Sequence, residues 1–306
     1  MYLPVSVVAL LCCIAPWVNT LAQSKTLLVT DGNKPLPYAT VINLRTGFGQ
    51  FASEKGTVEL FPALFSAGDT LRISYTGYAD TLIKIPTSGY SIGLRPISIP
   101  LQNVEVYPCK DSRRVSLKNY RRQKKITLLA SAVLPFFSYA AYLPNPDGLR
   151  GNIEAITIEQ SYTTVPPNAR KAPFKIRLLQ YDSATGLPGN PLIAKEWLIN
   201  PTGKTTTIEI SDVSLRIPAH GLVVSIDLFH AGEQYAYKEK VLQLYKDGTK
   251  KTEWQSRYGA SFRAVTGDNL MGIGYMNGKS GQWIKMSTFG NKPSAIMVKL
   301  SIQQCQ

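Results

Sequence analysis

Histidine is almost missing from this chain: only His220 and His230 occur in 306 residues. They bracket one apolar run, Leu222 to Phe229, and ten residues of extended chain would hold them roughly 30 Å apart. That separation excludes a shared metal ion, whose ligand atoms must converge to about 2 Å from the metal. A Ser-His-Asp hydrolase has no more support, because neither histidine is accompanied by a Gly-x-Ser-x-Gly turn to present a nucleophile. Cysteine is scarce as well. Cys12 and Cys13 fall in an apolar N-terminal segment, which leaves Cys109 and Cys305. In an oxidising compartment these form either a bridge from mid-chain to the C-terminus or two separate thiols, and spacing does not choose between them. A phosphate loop is also lacking. Gly278-Lys279-Ser280 has the right ending, but the glycine needed five positions before Gly278 is Ile273, so the backbone N–H cradle is incomplete. No motif calls for a cofactor or a metal.

Charged side chains are absent from Met1 to Ala22, where Val5 to Ile14 is nearly continuous apolar sequence. That length suits the core of a signal peptide better than a membrane span. Pro16 and the closing Thr20-Leu21-Ala22 place small side chains where a peptidase cuts, so cleavage is expected after Ala22 or Gln23. The terminal amine alone supplies the positive charge of the leader. Leu11 precedes Cys12, whereas bacterial lipidation favours a small residue there, so residues 1–22 read as a leader and not as a lipid anchor. Contact with a membrane is expected only through this leader, before cleavage.

Acids are outnumbered, 20 against 34 Lys and Arg, for a net charge of +14. Its distribution limits its meaning. Lys110, Arg113, Arg114, Lys118, Arg121, Arg122, Lys124 and Lys125 face only Asp111 within that stretch, so sixteen residues carry net +7. The remainder is mildly basic and has no stripe of Arg and aromatic residues for base stacking, which argues against specific nucleic-acid binding. Residues 109–126 read as a solvated basic connector, with contact to an anionic surface as the alternative.

From Lys25 to Tyr107 short runs rich in Val, Ile, Leu, Thr and Tyr alternate with turn residues: Asp31-Gly32-Asn33, Thr46-Gly47, Lys55-Gly56, Ala67-Gly68-Asp69 and Thr76-Gly77. Strands of five to seven residues at this spacing predict a sandwich or barrel. Gly77, between Tyr75 and Tyr78, is expected to turn with positive φ while the two rings cover core edges, with stacking on a sugar as the alternative role for the rings. Pro35 and Pro37 fix φ around an entry turn and block edge pairing there.

The order of these motifs is specific. Asp31-Gly32, Pro35-Leu36-Pro37-Tyr38-Ala39-Thr40-Val41, Thr46-Gly47, Glu54-Lys55-Gly56, Gly68-Asp69-Thr70-Leu71 and Ile73-Ser74-Tyr75-Thr76-Gly77-Tyr78 together resemble the carboxypeptidase-regulatory-like domain, common in exported proteins of Bacteroidota. The resemblance spans about Lys25 to Val106; Leu28 stands where the family usually has glycine. It implies a seven-stranded transthyretin-type sandwich over residues 23–108 that acts as a scaffold and not as a peptidase.

Ile126 to Leu143 is apolar enough to suggest a membrane span, but Pro135 interrupts it and the basic cluster lies on its upstream side, the wrong side for a stop-transfer helix after export. Thr127 to Val133 is instead expected as a short helix or strand, and Phe136 to Tyr142 as a strand. Further runs, including Ile153 to Gln160, Phe174 to Tyr181, Leu222 to Phe229 and Ala295 to Ile302, extend the β pattern. In Phe174-Lys175-Ile176-Arg177 the polar members alternate away from the core. Residues 174–192 are similar to a jelly-roll-like domain that follows the regulatory-like module in some Bacteroidota proteins. The fold class expected is all-β: a seven-stranded sandwich, then a jelly-roll-like sandwich over residues 127–306.

Candidate chemistry is sparse. Glycoside hydrolysis needs only two carboxyls at a suitable separation, and Glu154, Glu159, Asp182, Glu196, Asp227, Glu233 and Glu253 are available, though none sits in a motif. Aromatics concentrate in the C-terminal half, where sandwiches stack rings on sugar faces. Trp254, Trp283, Tyr258 and Tyr275 are the candidate binding residues. The expected function is a non-catalytic, exported accessory or scaffold protein of the cell envelope, with an envelope protein or a glycan as partner. Glycan binding through the C-terminal aromatics is the alternative, and a glycoside hydrolase the more distant one.

Overall fold

A computed structural model describes residues 24–46, 49–62, 64–85, 90–97, 112–121, 128–132, 137–161, 165–193, 195–228, 233–244, 249–277, 282–287 and 292–305. Among them regular structure consists of β-strands and a few single 3-10 turns. The leader expected at residues 1–22 lies outside the described residues, as does Cys109. No helix among the described residues is long and apolar enough to cross a membrane.

The first sandwich has seven described strands: β1 (Lys25–Thr30), β2 (Thr40–Asn43), β3 (Gly49–Phe51), β4 (Thr57–Leu60), β5 (Thr70–Ser74), β6 (Thr81–Lys84) and β7 (Tyr90–Gly93). They form sheets ordered β4-β1-β7 and β3-β2-β5-β6. All pairs are antiparallel except β1 with β7. Side chains alternate between faces, so Leu27, Val29, Val41, Leu71 and Ile73 turn inward to a core shared with Val58, Leu60 and Phe65. The other face of β2 and β5 then carries Thr40 and Ile42 opposite Ser74 and Arg72. Gly77 has φ of 89°, and it closes a tight turn in which Tyr78 N–H donates to the Tyr75 carbonyl at 3.0 Å.

The second sandwich begins at β8 (Ser112–Lys118). It continues with β9 (Leu128–Ala132), β10 (Phe137–Leu143), β11 (Asn152–Glu159), β12 (Phe174–Asp182), β13 (Leu187–Pro191), β14 (Trp197–Ile199), β15 (Thr205–Glu209), β16 (Leu222–Leu228), β17 (Ala236–Leu244), β18 (Lys250–Thr266), β19 (Gly274–Asn277), β20 (Trp283–Lys285), β21 (Ser294–Ile296) and β22 (Val298–Cys305). One sheet runs β13-β12-β16-β10-β19-β20, with β14 also on β12; a second runs β15-β11-β22-β8; a third runs β17-β18-β21, with β9 also on β18. Ile156, Ile158, Leu300 and Ile302 of the second sheet meet Phe174, Ile176, Val224 and Ile226 of the first in one core. Phe174 and Phe262 pack edge to face there, centroids 5.1 Å apart. Burying each such side chain contributes roughly 1.5–3 kcal/mol.

One expectation changes. Residues 112–118, read from composition as part of a solvated connector, form an edge strand on β22. Val115 and Leu117 pack toward the core while Arg114 and Lys118 point to water, so the basic residues shield an edge that would otherwise recruit another strand. Residues 137–143 form the strand expected over Phe136 to Tyr142, an inner one between β16 and β19.

Candidate functional site

The outward face of the sheet built on β12, β16 and β10 carries a polar row. Register places Lys175 opposite Asp227, Asp227 opposite Ser138, Ser138 opposite Asn277, and Asn277 opposite Trp283. Each lies one step from a core residue, so the alternation that buries Phe174, Ile176, Ile226 and Leu228 also presents this row. Facing it is the outer surface of the β3-β2-β5-β6 sheet. Between the two sandwiches lies a cavity of about 520 Å³. Its first-sandwich wall includes Phe51, Arg72, Ser74, Tyr75, Tyr78 and Asp80; its second-sandwich wall includes Ser138, Arg177, Glu196, Asp227, Asn277 and Trp283.

Two ion pairs organise this cleft. Arg177 grips Asp227 through Nε to Oδ2 at 2.6 Å and Nη2 to Oδ1 at 3.0 Å, while Ser225 Oγ donates to Asp227 Oδ1 at 2.9 Å. Burial works against ionisation of Asp227, but the Arg177 charge and hydrogen bonds from Arg177, Ser138 and Ser225 outweigh it and hold the carboxyl below its usual range. Lys175, with its side chain only 3% exposed, pairs with Glu196 at 2.8 Å. Its ammonium also donates to the Tyr38 carbonyl and sits 4.1 Å from the centre of the Phe51 ring. Burial lowers the Lys175 pKa, and the facing Glu196 carboxylate opposes that shift. Glu196 in turn accepts from Thr76 Oγ1. Two side chains of the second sandwich thus engage three residues of the first.

Three rings border the polar groups. Tyr75 and Tyr78 are tilted against each other, centroids 5.5 Å apart, and Trp283 faces them from the opposite wall. Flat rings beside fixed donors and acceptors suit a ligand with both apolar and hydroxylated faces.

The residues singled out from sequence disperse. Trp283 lines the cleft. Trp254 is 63% exposed on the long β17–β18 hairpin, where Lys240 lies over its ring at 5.1 Å. Tyr258 is half-buried further along β18. Tyr275 is wholly buried and donates to the Gly186 carbonyl at 2.9 Å, so it offers no free ring face. Arg113, Arg114 and Lys118 belong to β8 and Arg121 follows it, whereas Lys110, Arg122, Lys124 and Lys125 lie outside the described residues. Cys305 ends β22 opposite Ser112. His220 occupies the turn before β16, and its carbonyl accepts from Tyr142 Oη at 2.6 Å.

Of the seven acids considered for hydrolysis, only Glu196 and Asp227 reach the cleft. Glu154 pairs with Arg114, and Glu159 with Arg263. Asp182 accepts from Ala184 and Thr185 in its own turn, and Glu253 is exposed on the hairpin. The described residues contain no cluster of three His, Cys, Asp or Glu positioned for a metal. Tyr75 and Tyr78, read from sequence as core-edge rings with sugar stacking as the alternative, line the cleft, whereas Arg72, Asp80 and Arg177 were not legible as site residues. The one available signal was the outward placement of Lys175 and Arg177 on a strand whose other face carries Phe174, Ile176 and Leu178. No protein-family model matches the chain, and comparison with curated proteins finds no match.

Proposed function

We propose that this chain is an exported, non-catalytic accessory protein of the cell envelope whose cleft between the two sandwiches binds a carbohydrate. The observation that carries the reading is the cavity of about 520 Å³ in which Tyr75, Tyr78 and Trp283 surround ion-paired side chains. Rings stack on sugar C–H faces, while carboxylate, guanidinium and amide groups held by neighbours orient hydroxyls without reordering. A hydrolase must protonate its leaving group with one carboxyl; Asp227 is held ionised by Arg177, and Glu196 is committed to Lys175 and Thr76. The uncharged leader and the resemblance of residues 25–106 to the carboxypeptidase-regulatory-like module favour export and a scaffold role for the first sandwich.

Calorimetric titration of the mature chain with oligosaccharides chosen from a glycan array tests this reading. Trp283→Ala is expected to weaken binding at least tenfold, about 1.4 kcal/mol, while Trp254→Ala leaves affinity within twofold. The bound oligosaccharide should be recovered intact. Equal affinity in Trp283→Ala would overturn the assignment of the cleft, and new reducing ends would overturn the non-catalytic part.

A further inference from the structure

We infer that the saccharide taken by this cleft is anionic, carrying a carboxylate or sulfate group, and that Arg72 is the residue that seats it. The inference rests on the carbohydrate reading above and adds the charge of the ligand.

Arg72 lies on β5, on the face of its sheet that forms the cleft wall. Its Nε is shielded from solvent and has no hydrogen-bond partner. A buried donor left unmade is costly, and a charged one more so. The neighbouring guanidiniums differ: Arg177 is held bidentately by Asp227, and Arg45 by Asp69. Lys175 has Glu196. Arg72 is therefore the cationic side chain of the described cleft wall that forms no ion pair among the described residues.

Nearby charge on its own sheet does not supply the missing partner. Arg72 is opposite Leu82 on β6, so Asp80 and Lys84 flank it diagonally with opposite signs, and both are exposed to water. Their fields oppose one another at the guanidinium and are screened. A neutral hydroxyl could accept from the Nη groups, which unlike Nε are not shielded, but would leave the charge unbalanced. A carboxylate or sulfate meets the flat fork of the two Nη groups with two parallel bonds and balances it. The basic net charge of the whole chain, +14, adds a long-range attraction of the same sign. Trp283 and the two tyrosines then provide ring faces for the sugars on either side of the charged unit.

The test compares three probes of equal length on the mature chain by calorimetry: an oligouronate, a sulfated oligosaccharide and a neutral oligosaccharide. At low salt, wild type should bind one of the two anionic probes at least tenfold more tightly than the neutral one, and which arm wins identifies the group. The preference should shrink as NaCl rises. In Arg72→Gln it should disappear, the anionic probe then binding no more tightly than the neutral one; Arg72→Lys, which keeps charge but not the fork, should retain part of it. Equal wild-type affinity for neutral and anionic probes, a comparison that needs no variant, would overturn the inference and leave the carbohydrate reading standing. So would an anionic preference that survives in folded Arg72→Gln. Binding of none of the three would overturn both.

Discussion

Asp69 accepts from four donors: Arg45 Nε at 2.5 Å and Nη2 at 2.9 Å, Asn43 Nδ2 at 2.6 Å, and Ser66 N–H at 2.9 Å. The Arg45 hydrogen bonds are the largest cause of a carboxyl held well below the usual aspartate range; partial burial opposes them, and Asn43 and Ser66 add to the lowering. A carboxylate with a depressed folded pKa stabilises the native state above its unfolded pKa of about 4, and that contribution fades as pH falls toward the folded value. Wild type should therefore lose stability progressively as pH falls from about 5 toward 2. Asp69→Asn is expected to cost about 1–3 kcal/mol at pH 7, because Arg45 loses its counter-charge and one acceptor becomes a donor. It should also flatten the acid limb for the first sandwich. Urea unfolding at pH 7 and pH 3 measures both; a variant as acid-sensitive as wild type would refute the assignment to Asp69, leaving Asp227, likewise held below its usual range, as the group responsible. The sequence showed Gly68-Asp69 as a turn, which it is, but not the carboxylate's partners. Those come from Asn43 and Arg45 on another strand end, and local sequence does not encode cross-strand convergence.

At the scale of elements, alternation was the reliable signal. Phe174 to Asp182 and Leu222 to Leu228 are strands with apolar residues inward, as their period of two predicts. Composition misled where it overrode period: the basic residues of 110–125 concealed the Val115 and Leu117 alternation of β8. Turn glycine chemistry was legible too, although its reason was not. Gly221, between His220 and β16, has φ of 83°, and a Cβ there would stand 2.0 Å from the Leu143 carbonyl oxygen and 2.9 Å from Pro144 Cα. The end of β10 thus passes so close to the start of β16 that only glycine fits. Gly221→Ala combines a left-handed backbone with a clash against main chain, and should destabilise the second sandwich by at least about 2 kcal/mol. Thermal unfolding checks this. Gly32→Ala is the control: its φ is also positive, at 97°, but nothing lies within 4 Å of the added methyl, so it should cost clearly less.

For the whole molecule the question is what holds two sandwiches across a cavity, and the sequence could not answer it. Alternation shows that Lys175 and Arg177 leave one core; it does not show that Lys175 enters a second contact. Tyr38 marks the receiving end. It is a non-glycine residue at φ of 61°, a left-handed conformation that costs of order 1–2 kcal/mol, and its carbonyl accepts from Lys175. The same ammonium faces Phe51 and is paired with Glu196, which reaches Thr76. Removing one member of a mostly buried pair strands the other, which destabilises by up to about 3–5 kcal/mol; removing both with apolar groups of like size is far cheaper. Lys175→Met should therefore separate the unfolding of the first sandwich from that of the second and increase the radius of gyration of the mature chain in solution scattering. Lys175→Met with Glu196→Leu should recover much of the stability yet still lack the donor to Tyr38, so the increase in radius should persist. If Lys175→Met leaves a single transition and an unchanged radius, the pair is not what joins the sandwiches, and the cleft must be held by its apolar rim of Ile42, Phe51 and Ile97.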